Sequence, residues 1–203
     1  MMNSAKVYYC DEYDFECERF IHLLPKERQT KLDRLRLEKD KKNCVGAYLL
    51  LLKALREFGV DKPEFETGEN GKPYIKGNPV FFNLSHSKCG FACAVSSSEI
   101  GADIQETVVP KEATLKKACS EKERESILNN SLAFTHLWTL KESVIKKNGE
   151  TLAQYKKYEF PHIGNDFYAY GNHFASLKEN DFVITACGGF EKIEFIKVKS
   201  TEL

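Results

Sequence analysis

The sequence lacks an excess of charge of either sign, and it lacks any long apolar run. Thirty Lys and Arg side chains balance thirty Asp and Glu side chains among 203 residues. Such a balance gives no overall electrostatic field that would attract nucleic acid or an anionic membrane. The longest apolar run, residues 47–52, is far too short to cross a bilayer. We therefore expect no nucleic-acid partner and no membrane partner, and any bound anion should be small.

Paired cysteine spacings and a secretory signal are also missing. The seven cysteines form an odd-numbered set, and most have apolar neighbours, as free thiols do in a reducing compartment. Residues 1–6 do not give the charged start and apolar run of a signal peptide. These features predict a cytoplasmic protein.

One segment, residues 26–42, is locally basic, so a nucleic-acid-binding protein is an alternative class. A basic helix of this kind could bind nucleic acid. The basic residues are interleaved with Glu27, Asp33, Glu38 and Asp40, however, which favours an ordinary solvated helix face.

Hydrophobic periodicity predicts an α+β fold without linkers. A helical segment over residues 27–58, broken near 41–43, precedes a turn at 68–73, and further helices are predicted over 111–129 and 132–147. The predicted strands are 6–10, 80–84, 91–95, 100–105, 155–160, 167–170, 173–177, 182–187 and 192–198. Each half runs from helix to strands. This suggests two similar lobes, residues 1–103 and 104–203, with a site in the cleft between them.

The predicted strand at 100–105 interrupts its apolar pattern with an acid. Side chains alternate between the two faces of a strand, so Asp103 and Gln105 share one face while Glu106 lies on the apolar side. Two interpretations fit this strand equally well. It is either a half-buried strand with a solvated polar face, or a strand that presents oxygen ligands to a metal ion such as Mg²⁺.

The predicted helix at 132–147 carries a second acid and two lysines. At 100° per residue, Lys141 falls inside the apolar arc, Glu142 lies at its margin, and Lys146 stands one turn after Glu142. A lysine within a packing face must extend its amine to solvent or meet an anion. Surface ion pairing is the alternative. The position of Lys141 favours a functional site, in which Asp103 and Glu142 share one metal ion beside a cation for phosphate.

A third segment, residues 81–87, ends an apolar strand in small polar residues and a histidine. Ser85 and His86 could meet a phosphate there. A Ser-His hydrolase is disfavoured because adjacent strand residues point in opposite directions and no Gly-x-Ser-x-Gly elbow is present. Zinc binding by His86, Cys89 and Cys93 is disfavoured because their spacing matches no standard pattern.

Four motifs in this order resemble the Sfp-type 4′-phosphopantetheinyl transferases, over roughly residues 25–150. They are Gly71-Lys72-Pro73, Phe82-Asn83-Leu84-Ser85-His86-Ser87, Gly101-Ala102-Asp103-Ile104-Gln105, and the Trp-x-x-Lys-Glu-Ser-x-x-Lys pattern at 138–146. The resemblance implies a pseudo-duplicated fold of two lobes, each a small antiparallel sheet packed by helices, with the active site in the cleft. It also implies a monomeric enzyme.

The resemblance implies a reaction between coenzyme A and an acyl or peptidyl carrier protein. Mg²⁺, or Mn²⁺ in its place, would bridge the pyrophosphate of coenzyme A and be held by Asp103, Glu142 and the residue at position 105. Glu142 would also take the proton of the attacking carrier serine, and Lys146 would neutralise the leaving phosphate. The residues that match the family's coenzyme A contacts are Lys72, Ser85 and His86, with Arg28, Lys31 and Lys42 near its adenylate-phosphate contacts.

One position departs from the family pattern, because Gln105 stands where a second acid is usual in that motif. An amide still offers a carbonyl oxygen, and Mg²⁺ often takes only one or two carboxylates. We therefore expect weaker metal affinity or a different metal preference rather than loss of activity. The alternative function is a non-catalytic protein of the same fold that binds coenzyme A or a carrier.

Overall fold

The computed structural model describes residues 4–68, 71–77, 80–127, 130–179 and 181–203. Its α-helices are α1 (Lys26–Asp33), α2 (Glu38–Glu57), α3 (Glu112–Ala118), α4 (Glu121–Ile127) and α5 (Ser131–Asn148). Short 3-10 helices lie at Cys17–Leu23, Leu152–Lys157 and Ser200–Glu202. In the parts of the chain so described, no helix combines the length and apolar character needed to cross a membrane.

The strands form two four-stranded sheets and one small hairpin. They are β1 (Ser4–Cys10), β2 (Phe65–Thr67), β3 (Pro73–Ile75), β4 (Phe81–Ser87), β5 (Gly90–Ser96), β6 (Ile100–Glu106), β7 (Asp166–Ala169), β8 (Asn172–Lys178), β9 (Phe182–Gly188) and β10 (Lys192–Lys197). The first sheet has the order β10-β1-β5-β4 and the second β6-β9-β8-β7, while β2 pairs with β3. Neighbouring strands are antiparallel except for β1 and β10, which are parallel. The α+β class is therefore confirmed.

Each sheet has one face covered by a long helix, α2 on the first sheet and α5 on the second. The opposite faces meet in a buried apolar layer. Alternation along β5 explains the division, because Phe91, Cys93 and Val95 pack with α2 while Ala92 and Ala94 belong to the shared layer. The seven cysteines are free, and all except the half-buried Cys89 are buried.

Side chains of β4 also bond directly to the backbone of β6. The Asn83 side-chain oxygen accepts a hydrogen bond from the Ala102 N–H at 3.1 Å, and the Ser85 hydroxyl oxygen accepts one from the Ile104 N–H at 3.2 Å. These two bonds satisfy buried backbone donors that would otherwise be costly to leave unpaired. They fix β4 beside the strand that contains Asp103.

One predicted helix break is misplaced, and a second break, inside the helix predicted over 111–129, is not predicted at all. The first helical segment breaks at residues 34–37 rather than near 41–43, because Glu38 and Asp40 occupy the first turn of α2, where acids are favoured by the helix dipole. The second segment divides at Ser120, whose hydroxyl accepts from the Glu123 N–H while the Glu123 carboxylate accepts from the Ser120 N–H. This capping box starts α4. The predicted end at residue 129 lies outside the described residues, as do positions 69 and 70 of the predicted turn.

The predicted strand at 155–160 is wrong, because the structure has a 3-10 helix at Leu152–Lys157. Tyr155 and the following Tyr158 are both buried. Residues three apart lie on one side of a 3-10 helix, so this spacing suits the observed turn better than an alternating strand. Aromatic residues are common in strands, which explains the wrong prediction.

Hydrogen bonds between α5 and the second sheet hold the helix in place. One of them involves the imidazole of His136, whose pKa is shifted. The buried His136 Nε2 lies 2.8 Å from the Ser176 hydroxyl, which in turn lies 2.9 Å from the Thr185 hydroxyl. Thr185 bonds to Thr139 on α5 at 2.7 Å. Burial, with the charge of Lys178 as the lesser cause, lowers the pKa of His136 to about 3.

This shift predicts loss of stability in mild acid. Because the pKa of His136 is lower in the folded chain than in the unfolded chain, the unfolded state takes up the proton first. The free energy of unfolding should therefore fall as the pH drops below the unfolded value of about 6.5, by about 2 kcal/mol at pH 5. Urea unfolding of the wild type and of His136→Gln between pH 5 and 7 measures this. A parallel pH dependence in both chains would contradict it.

Candidate active site

The close approach of β6 to α5 depends on a glycine. A Cβ atom at Gly101 would lie 2.0 Å from the Ser143 carbonyl oxygen and 2.5 Å from the Lys147 nitrogen. A side chain at this position would therefore push the strand away from the helix. Because side chains alternate along the strand, Asp103 and Gln105 face α5 together with Gly101.

The ends of α5 are also defined by local sequence. The Asn130 side chain caps the first turn by accepting from the Ala133 N–H at 3.0 Å. Gly149 ends the helix in the left-handed conformation, with φ of 63°. These caps fix which turn of the helix faces Asp103.

Asp103 lies at the centre of a buried polar cluster. Its Oδ1 accepts a hydrogen bond from the Ser85 hydroxyl at 2.8 Å and from the Lys146 ammonium at 2.6 Å. Lys146 also donates to the Ser85 hydroxyl at 2.9 Å. The structure thus brings together Ser85, Asp103 and Lys146, three of the side chains that the sequence predicts for the site.

Glu142, one turn before Lys146 on α5, is buried beside this cluster. Its Oε1 accepts a hydrogen bond from the Tyr155 hydroxyl. Burial raises the pKa of Glu142, and the charge of Asp103 raises it further, while the Tyr155 hydroxyl and Lys146 act in the opposite direction. The Asp103 carboxylate is therefore near enough for its charge to act on Glu142, as expected of two ligands of one cation.

The donors suit a hard divalent cation. The Asp103 Oδ2 is buried and has no hydrogen-bond partner within the described part of the chain, so it is an oxygen that a cation could satisfy. The described residues contain no group of three or more His, Cys, Asp or Glu that could hold a metal. Two carboxylates are nevertheless enough for Mg²⁺, which usually completes its shell with water and substrate phosphates.

His86 points away from Asp103 into a separate basic pocket. The strand was predicted to end at Leu84, but β4 continues through Ser87, so Ser85 and His86 lie on opposite faces. The pocket has a volume of about 200 Å³, and its lining includes Arg28 and Lys31 as well as His86. Loss of hydration lowers the pKa of His86, and the nearby charges of Lys31 and Lys146 lower it further. A phosphate entering this pocket would meet the positive charges of Arg28 and Lys31 and a hydrogen-bond donor in the His86 imidazole.

Three predicted site residues lie outside these two clusters. Lys42 donates to the Tyr13 carbonyl at 2.9 Å, and Lys72 donates to the Lys147 carbonyl at 2.5 Å. Lys72 therefore neutralises the C-terminal end of α5, where a cation is favoured. Gln105 faces α5 at a groove that it shares with Trp138, one turn before Glu142.

Lys141 is buried, and the anion that it meets belongs to the chain itself. Its ammonium group lies 2.8 Å from the Glu123 carboxylate and also donates to the Ala118 and Tyr155 carbonyl oxygens at 2.8 and 3.0 Å. Glu123 is fully buried as well. Lys141 therefore meets an anion, as one of the two predicted outcomes for its amine, but that anion is a buried carboxylate of the fold. The interpretation of Lys141 as a sign of a functional site is wrong. The Ser-x-x-Glu spacing at 120–123 is the sequence signal that could have located this acid.

Tyr155 contacts Glu142 but was not predicted as a site residue. The sequence pattern assigns its segment to a strand, and the residue lies outside the four motifs. Only the fold brings its hydroxyl to Glu142, so no local pattern could have located it.

Together these features define a class of protein. Two buried carboxylates, a lysine that bonds to one of them and to a serine, and an adjoining basic pocket suit an enzyme that handles phosphate with a divalent cation.

Comparison with known proteins narrows this class to a family. The model of the 4′-phosphopantetheinyl transferase superfamily matches residues 99–187, which include β6 and α5. The chain is 33% identical over 147 residues to the 4′-phosphopantetheinyl transferase Sfp of Bacillus subtilis, covering 68% of this chain and 66% of that relative. It is 37% identical over 97 residues to the 4′-phosphopantetheinyl transferase AcpT of Salmonella typhi, covering 43% of this chain and 50% of that one. The chain belongs to the 4′-phosphopantetheinyl transferase superfamily, as its four motifs predict.

Proposed function

We propose that this chain transfers the 4′-phosphopantetheine arm of coenzyme A to a serine of an acyl or peptidyl carrier protein. The products are the modified carrier and 3′,5′-ADP. The observation that supports this most directly is the cluster of Ser85, Asp103 and Lys146 beside Glu142. The relatives named above carry this activity in their names, and the matched segments span 66% and 50% of their lengths.

In this proposal Asp103 and Glu142 would hold Mg²⁺ or Mn²⁺, and Gln105 would offer a further oxygen donor. When bound, the cation would neutralise charge on the pyrophosphate of coenzyme A. Glu142 accepts the proton of the carrier serine as the serine oxygen forms a bond to the β-phosphorus. The bond from that phosphorus to the bridging oxygen breaks, and 3′,5′-ADP leaves. Lys146 stabilises the charge that develops on the leaving phosphate.

The basic pocket of Arg28, Lys31 and His86 is the proposed contact for the adenylate end of coenzyme A. Ser85 lies on the opposite face of β4, beside Asp103, and would bond to the pyrophosphate. Lys42 and Lys72 would have to exchange their present bonds to backbone carbonyls for phosphate oxygens. Their contribution to affinity is therefore expected to be smaller than that of Lys31.

We propose that the protein is a monomer of two similar lobes, residues 1–103 and 104–203, with the site in the cleft between them. The opposed sheets, each covered by a long helix, support this arrangement. The proposed boundary lies within β6, and β10 returns to the first sheet beside β1. The lobes would therefore unfold together rather than as independent domains.

The mass of a purified carrier protein tests the function. After incubation with this chain, coenzyme A and Mg²⁺, the carrier should gain the mass of one phosphopantetheine arm. A carrier in which the acceptor serine is replaced by alanine should gain nothing. Coenzyme A binding without any mass gain, across fatty-acid, polyketide and peptide carriers, would instead favour a non-catalytic binding protein.

The amide at position 105 gives a separate prediction about the metal. Because a carboxylate binds Mg²⁺ more strongly than an amide does, Gln105→Glu should lower the Mg²⁺ concentration needed for half-maximal transfer. Titration of Mg²⁺ and Mn²⁺ for both chains measures the effect. Identical titration curves would remove Gln105 from the metal site.

A further inference from the structure

Tyr155 reaches the proposed active site from outside every motif that the sequence shares with its family. It lies on the 3-10 helix that follows α5, and its hydroxyl donates to Oε1 of Glu142. Its ring packs against Trp138, one turn before Glu142 on α5, with centroids 4.8 Å apart and an interplanar angle of 36°. The residue is buried, with 4% of its surface exposed.

The backbone of Tyr155 is anchored as firmly as its ring. The Tyr155 carbonyl oxygen accepts a hydrogen bond from the buried Lys141 ammonium at 3.0 Å. Lys141 is itself held by Glu123 at 2.8 Å, and the other Glu123 oxygen accepts from the Phe160 N–H at 2.8 Å. Tyr155 is thus fixed at its carbonyl, its ring and its hydroxyl, and the last of these fixes Glu142.

We propose that Tyr155 is a positioning residue that holds one carboxylate oxygen of Glu142, so that the other oxygen serves the cation and the carrier serine. This inference rests on the proposed function. A carboxylate on a helix can rotate about its side-chain bonds, and a fixed donor on one oxygen removes that freedom. The buried pair of Glu123 and Lys141 acts through Tyr155, because it fixes the backbone from which the phenol extends.

A purely structural role for Tyr155 is the alternative, and the chain offers a matched comparison. Tyr158 is also buried in this segment, and its ring packs against Tyr170 at 5.2 Å. Its hydroxyl contacts Glu150 and Asn148 at 2.8 and 2.7 Å, rather than Glu142. Loss of the Tyr158 hydroxyl therefore tests what the loss of any buried phenol does to this segment.

The test compares Tyr155→Phe with Tyr158→Phe. The phenylalanine at position 155 keeps the ring and loses only the donor to Glu142. Mn²⁺ binding is measured by the electron paramagnetic resonance signal of the free ion, with coenzyme A present and no carrier, so that no turnover occurs. We expect Tyr155→Phe to weaken Mn²⁺ binding by about tenfold, the lower end of the effect of losing a ligand's hydrogen-bond partner. Tyr158→Phe should bind Mn²⁺ as the wild type does.

Kinetics with a carrier supply the second measurement. The kcat of Tyr155→Phe at limiting Mn²⁺ should fall by a similar factor and recover as Mn²⁺ is raised. At saturating Mn²⁺ the KM for coenzyme A should match that of the wild type, because the proposed adenylate contacts lie at Arg28 and Lys31. Equal Mn²⁺ binding in Tyr155→Phe and wild type would overturn the inference while leaving the transfer activity in place.

The two proposals fail in different ways. A wild type that modifies no carrier, but whose Mn²⁺ binding is weakened by Tyr155→Phe, would contradict the proposed transfer and support the positioning role. Mn²⁺ binding that persists unchanged in Glu142→Ala would overturn the positioning role, because the ion would then lie elsewhere.

Discussion

Replacing Glu142 with glutamine is expected to lower the rate of phosphopantetheine transfer by roughly a thousandfold, within the range for a lost general base. Glutamine has nearly the same shape and can still accept the Tyr155 hydrogen bond, so the helix should keep its packing. The amide cannot take the serine proton, and it binds a divalent cation weakly. Asp103→Asn should show a loss of similar size, because it removes the other charged ligand.

Glu106→Gln is the matched control for these two substitutions. Glu106 lies at the end of the same strand as Asp103, and its carboxylate accepts from the Lys88 N–H at 3.1 Å. Its removal should therefore leave the transfer rate within about twofold of the wild type, as most surface substitutions do. The measurement is the initial rate of carrier modification by mass spectrometry, at saturating Mg²⁺ and with circular dichroism as a check on folding. Substantial transfer activity in the double variant Glu142→Gln, Asp103→Asn would contradict the proposed mechanism.

The grouping of Asp103, Glu142 and Lys146 was predictable, because the direction of each side chain follows from the periodicity of its own strand or helix. A strand alternates every two residues and a helix repeats every 3.6, so the sequence indicates which side chains share a face. The glycine at position 101, which has no side chain, indicates that this face of the strand approaches another element closely. Periodicity within each element could not predict that β6 and α5 lie side by side. The order of the four motifs, through the family resemblance, did predict that both contribute to one site.

The partners of Lys141 and Lys72 could not be predicted in the same way. Periodicity places Lys141 in the apolar arc of α5, yet its partner Glu123 lies on a different helix. Lys72 bonds to a carbonyl 75 residues away in the chain. Each contact depends on how separate elements are arranged in space, which the spacing of residues within one element does not encode.

The return of the last strand to the first sheet is a further long-range feature. Strand β10 pairs in parallel with β1, across nearly the whole length of the chain. The sequence predicted both strands but could not predict this pairing, because a parallel pair needs a long connection and carries no turn signal. The first and last strands of the described residues therefore lie side by side in one sheet.

Replacing Lys141 with methionine is expected to destabilise the fold by about 3–5 kcal/mol, the usual cost of removing one partner from a buried ion pair. Both side chains are almost fully buried, with 1% of the Lys141 and none of the Glu123 side chain exposed. Methionine fills a similar volume, so the loss reflects an uncompensated carboxylate rather than a cavity. Urea unfolding followed by circular dichroism gives the free energy of unfolding.

A second substitution separates charge from packing. Glu123 accepts from the Ser120 and Phe160 N–H groups as well as from Lys141, so glutamine in its place keeps an acceptor while removing the charge. Adding Glu123→Gln to Lys141→Met should therefore restore part of the lost stability. Lys116→Met is the exposed control, because its pairing with Glu112 lies in solvent and contributes little. If Lys141→Met costs no more than Lys116→Met, the buried pair does not anchor the 3-10 helix that presents Tyr155. Because the Tyr155 carbonyl is held by Lys141, we also expect Lys141→Met to weaken Mn²⁺ binding, and the double variant to restore part of that binding.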